Sequence, residues 1–70
     1  MFTWFRRGDE YIRYEARQVS TGVYELTIMK PDGSETVERF SDEQALADRQ
    51  TTVQRELERD GWTGPHGWNL

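Results

Sequence analysis

Seventy residues with a formal charge of −4, three tryptophans, one histidine and no cysteine describe a single domain, near the size at which one core only just outweighs chain entropy. The missing cysteines exclude a disulfide framework and the lone histidine argues against a closed zinc site, which leaves self-association as the expected source of extra stability. The charge is uneven: residues 1–30 hold five basic and four acidic side chains, residues 31–70 four and nine, so phosphate and anionic lipid repel the chain unless its arginines gather on one face.

Met1 to Arg7 is apolar in places but short and followed by charge, so it is expected to be neither signal peptide nor membrane span, and the chain is expected to be cytoplasmic. The first strand ends at Arg7-Gly8-Asp9, a turn with glycine at its tip. The same tripeptide occurs in integrin ligands, but a turn explains it more simply. A two-residue Gly8-Asp9 loop sets Phe5 opposite Ile12; a three-residue Arg7-Gly8-Asp9 loop sets Trp4 opposite Ile12 and Phe2 opposite Tyr14. The second is the expectation, because it buries more aromatic area.

From Glu10 to Val19 the residues alternate, with Tyr11, Arg13, Glu15 and Arg17 on one side and Ile12, Tyr14, Ala16 and Gln18 on the other. Val23 to Lys30 alternates likewise, Tyr24, Leu26 and Ile28 against Glu25, Thr27 and Met29. A Ser20-Thr21-Gly22 loop pairs Val19 with Val23, Ala16 with Leu26, Tyr14 with Ile28 and Arg17 with Glu25, whereas a two-residue loop scrambles the apolar face. Asp32-Gly33, a strong two-residue hairpin signal, then pairs Ile28 with Val37, Leu26 with Arg39, Lys30 with Glu35 and Thr27 with Glu38.

Ser41 followed by Gln44 reads as a capping box, with Asp42 and Glu43 at the positive end of the helix dipole and Phe40 stapled to Ala45. The helix is expected to run to about Asp60, with Gly61 as its left-handed stop and Trp62 packed back on Leu57. Its apolar stripe of Leu46, Val53 and Leu57 is narrow. A helix with three large anchors covers only part of a four-stranded sheet. The rest is left to Trp62, Pro65, Trp68 and Leu70 folding back, or to another subunit.

No nucleophile stands at motif spacing from a base. Gly64-Pro65-His66-Gly67 lacks both the lysine and the following helix of a phosphate loop. His66 lies in a glycine-bordered segment without an orienting partner, and Glu56, Glu58 and Asp60 face different sides of the helix. No enzyme activity, cofactor or metal is therefore expected. Arg13, Arg17 and Tyr11 share a strand face that Trp4 can join, the pattern of a single-strand nucleic-acid binder, but Glu15 and Glu25 neutralise much of its field.

These features add up to an α+β domain over residues 1–62: a four-stranded antiparallel β-meander of order 1-2-3-4, with one C-terminal α-helix packed on one face, followed by an aromatic, Gly/Pro-containing tail over residues 63–70. The expected core is Trp4, Ile12, Tyr14, Ala16, Tyr24, Leu26, Ile28, Val37, Phe40, Leu46, Val53, Leu57 and Trp62. The expected function is a small non-enzymatic interaction module of prokaryotic type, pairing with itself as a homodimer or with another protein. Its open edges are expected at Phe2 to Arg6 and Glu35 to Phe40. The candidate interaction surface comprises Trp4, Tyr11, Arg13, Arg17 and Trp68. Single-stranded nucleic acid is the disfavoured alternative, and no membrane partner is expected.

Overall fold

The computed structural model describes residues 2–68, apart from the side chains of Phe2 and Trp68. Five strands and one helix follow in the order β1 (Phe2–Arg7), β2 (Glu10–Ser20), β3 (Val23–Met29), β4 (Glu35–Phe40), α1 (Glu43–Arg59) and β5 (Thr63–Trp68). The strands form one antiparallel sheet of order β4-β3-β2-β1-β5. The fold is therefore α+β, and β1 to β4 follow the expected meander order, but the segment expected as a terminal tail supplies a fifth strand. The chain leaves α1 and runs back along β1, so β1 lies inside the sheet and its expected open edge is closed. Thr63 fastens this return by donating from Oγ1 to the carbonyl of Arg6 at 3.0 Å. Gly64 makes it possible: at φ +153° it lies over the Phe5 ring, and a Cβ there would stand 2.7 Å from Phe5 Cδ2. The Gly64-Pro65 peptide bond is cis.

The central hairpin has the expected register, Ala16 with Leu26, Tyr14 with Ile28 and Arg17 with Glu25. Its loop is one residue tighter than expected. Ser20, not Val19, pairs with Val23, and the irregularity falls between Gln18 and Ser20. The two flanking hairpins each differ from expectation by one loop residue. Between β1 and β2 the turn is Gly8-Asp9, which sets Phe5 opposite Ile12 and Thr3 opposite Tyr14. Between β3 and β4 the loop is Pro31-Asp32-Gly33. It is closed by Lys30 N–H donating to the Ser34 carbonyl at 2.8 Å and Gly33 N–H to the Lys30 carbonyl at 2.9 Å, while Ser34 N–H donates to Asp32 Oδ1 at 2.8 Å. Hydrogen bonds from Ser34 hold the Asp32 carboxyl below its ordinary pKa. The longer loop moves every β4 residue by one: Leu26 pairs with Glu38 and Thr27 with Val37.

A one-residue slip exchanges the faces of a strand. Trp4 and Val37, both expected inside, consequently lie on the face away from α1, and Phe5 takes the core position with none of its surface exposed. Glu38 turns toward α1 instead, where Arg49 grips it with Nε at 2.9 Å and Nη2 at 3.2 Å. The core comprises Phe5, Tyr14, Leu26, Leu46, Val53, Leu57 and Trp62, with Ile12, Ala16, Tyr24, Ile28 and Phe40 packed against it. Phe5 stacks on Tyr14 at 6.2 Å between centroids.

The N-cap of α1 is Asp42 rather than Ser41. Its carboxylate accepts from Gln44 N–H at 3.0 Å, and the Gln44 side chain donates forward to Asp48 instead of closing a box. A carboxylate one residue later does the same work with a charge that also suits the dipole. The other end is as expected. Gly61 has φ +88°, its N–H donates to the Glu58 carbonyl at 3.1 Å, and Trp62 N–H donates to the Leu57 carbonyl at 2.9 Å, the double closure of a Schellman motif. Trp62 and Leu57 are both buried. Arg7 ties this corner to the sheet: its guanidinium lies 4.6 Å from the Trp62 ring centroid and donates to the Asp60 carbonyl at 3.1 Å.

Candidate interaction surface: the open face of the sheet

The helix packs on one face of the sheet. The other face is built by alternation alone, and the observed registers order it into cross-strand rows. One row crosses all five strands as His66, Trp4, Arg13, Met29 and Glu35. Beside it run Glu15, Thr27 and Val37, with the backbone positions of Phe2 and Trp68 continuing the same row. Arg17, Glu25 and Arg39 form the last row, and Arg6 with Tyr11 the first. All five sequence-assigned positions, Trp4, Tyr11, Arg13, Arg17 and Trp68, thus fall in register on this face; the Trp68 side chain and Leu70 lie outside what is described.

The contacts divide the face into two halves. Toward β5, Trp4 stacks on His66 at 4.3 Å between centroids and tilts against Tyr11 at 5.9 Å. The Arg6 guanidinium lies 5.9 Å from the Tyr11 ring, and Tyr11 is still 52 % exposed. In the middle, Arg13 sets its guanidinium against the Met29 thioether at 2.8 and 3.2 Å. Toward β4, Glu25 is 8 % exposed and receives two arginines, Arg39 at 2.8 Å and Arg17 at 3.8 Å. Two cations share one carboxylate there, leaving one positive charge in excess, whereas Glu35 at the other end of β4 has no ion-pair partner among the described residues. Val37 sits between these ends, 54 % exposed.

On the helix side, the narrow stripe leaves an open groove of about 790 Å³ between α1 and the sheet. Ile12, Ile28, Val53, Leu57 and Trp62 line its apolar part and Arg7, Lys30 and Glu56 are among its charged lining. The sequence signals this vacancy through the three-anchor stripe. Strand alternation already sets Met29 beside Glu25 and Thr27 on the open face, but the sequence gives no comparable signal for His66, which owes its place there to the pairing of β5 with β1. Among the described residues no group of three His, Asp or Glu is arranged to hold a metal, and no helix is long and apolar enough to cross a membrane. No family model, curated protein or solved structure matches the chain.

Proposed function

We propose that this protein is a small non-enzymatic interaction module whose partner is a second copy of itself. The observation that carries the reading is the imbalance of coverage: one helix with three buried anchors faces a five-stranded sheet whose other face has no buried hydrophobic side chain among the described residues. That open face presents exposed Tyr11 and Val37 and half-buried Trp4 and Met29 beside its arginines, a composition that favours protein contact at its aromatic and apolar positions. A domain of this size gains stability in proportion to what a partner adds. Sedimentation or light scattering across a hundredfold range of concentration tests the proposal. A mass of two chains that falls to one on dilution supports it; a single-chain mass throughout refutes it.

A second reading is favoured by one local observation, the Trp4, His66 and Tyr11 cluster flanked by Arg6 and Arg13. Stacked aromatics among arginines are the equipment of single-strand nucleic-acid binders. The opposing carboxylates of Glu15, Glu25 and Glu35 on the same face place it second. A labelled oligonucleotide retained at low salt, released steeply as salt rises and weakened by Arg13→Glu would promote it.

A further inference from the structure

Resting on the self-association reading, we infer that the two copies join through β4, edge to edge about a two-fold axis passing beside Val37, so that the two sheets continue as one of ten strands. The two edges of the sheet are not equivalent. β5 carries Gly64, Pro65 and Gly67 and its pairing with β1 shifts register between Trp4 and Arg6; proline removes a donor, and irregularity of this kind blunts an edge against further pairing. β4 has neither proline nor glycine, and all six of its residues keep an unbroken register with β3. Its outer side presents a regular run of backbone donors and acceptors, the feature that templates strand addition.

The side chains select the alignment. A two-fold axis normal to the sheet keeps the open faces on the same side, so only residues of like parity meet, and the axis must pass at Thr36, Val37 or Glu38. Centred on Glu38, the pairing sets two carboxylates against each other and Val37 against Arg39. Centred on Thr36, it sets Glu35 against Val37 and leaves Arg39 outside β4 of the other copy. Centred on Val37, it sets Val37 against Val37 and Glu35 against Arg39 twice over, with Thr36 against Glu38 on the helix side. Only this alignment sets opposite charges against each other. It also answers the imbalance already described: the positive excess at Arg17, Glu25 and Arg39 meets the Glu35 that has no ion-pair partner among the described residues. Arg39 is free to reach it, because its side chain is 74 % exposed while holding Glu25.

The test is a charge exchange. Glu35→Arg sets arginine against Arg39 of the other copy, and Arg39→Glu sets glutamate against Glu35. Each variant alone should dimerise at least about tenfold more weakly than the wild type, since two like-charge contacts replace two attractive ones. Mixed in equal amounts, the two should form a heterodimer, because every pair across the axis is then of opposite sign. Sedimentation velocity reads the masses, and far-UV circular dichroism with a thermal transition establishes that each variant is folded. Folded variants that dimerise as the wild type does overturn the β4 assignment while leaving self-association standing, as does a mixture that stays monomeric. A wild type that is monomeric at every concentration overturns both.

Discussion

Exchanging the roles of Trp4 and Phe5 is the most direct test of the architecture, because the two loop lengths of the first hairpin place one or the other inside. Phe5 is fully buried, stacks on Tyr14 and lies under Gly64. Truncation to alanine removes a whole ring from the packed centre, at about 3–5 kcal/mol. A 70-residue chain at roughly 0.05–0.15 kcal/mol per residue has about 4–10 kcal/mol in all, so Phe5→Ala should take a third of the stability or more. Trp4 is half-buried with one stacked neighbour, so Trp4→Ala should cost only about 1–2 kcal/mol. Urea unfolding followed by far-UV circular dichroism reads both; at about 1 kcal/mol per molar urea the midpoints should separate by roughly 2 M. If Phe5→Ala cannot be measured because it does not fold, Phe5→Leu should still fold, and Gly64→Ala provides a coupled probe. Its new methyl group meets the phenyl ring, so its cost should be smaller when Phe5 is leucine, by about 1 kcal/mol. A Trp4→Ala variant that loses as much as Phe5→Ala, or a Gly64→Ala cost indifferent to residue 5, would refute the observed register and the packing of β5 over β1.

Three further outcomes are expected. Asp42→Ala should lower stability by about 1 kcal/mol while Ser41→Ala changes it by a few tenths, a contrast that chemical denaturation of the two variants measures. Removing one side of the pair that holds β4 under α1, as in Arg49→Met, should cost about 1–2 kcal/mol, and a double-mutant cycle with Glu38→Gln should recover part of it as coupling. Burial raises the Tyr14 phenol above its usual 10.0, against an opposing hydrogen bond with Thr3. The folded state therefore holds this proton more tightly than the unfolded chain, and its contribution is complete below about pH 10 and lost as pH rises through the folded value. Urea midpoints should fall above that pH, and less steeply in Tyr14→Phe.

The candidate surface was partly legible because it follows from strand alternation. Tyr11, Arg13 and Arg17 share a face in any register, since residues two and four apart on a strand always do. Trp4 depended on one loop residue. Met29 follows from the same alternation, on the side of Glu25 and Thr27, whereas His66 reached the surface only through the pairing of β5 with β1, so no local pattern could have named it.

Features whose signals are local or doubly constrained were readable from the residues alone. Gly61 and Trp62 specify the helix end because a left-handed residue and an apolar contact must both sit at fixed distances from Leu57. The register of the central hairpin follows because both of its strands alternate strongly, so only one parity matches apolar with apolar. Tertiary structure decided the two flanking hairpins, where a glycine-containing turn accepts a loop of two or three residues and the partner strand alternates weakly. β4 is mostly polar, and β1 has aromatic residues of both parities, Phe2 and Trp4 against Phe5. It also decided β5. Gly64 and Pro65 disfavour a strand, and this segment becomes one because Trp62 docks under Arg7 and leaves it running beside the unpaired backbone of β1, where hydrogen bonding and the space above Phe5 outweigh local preference.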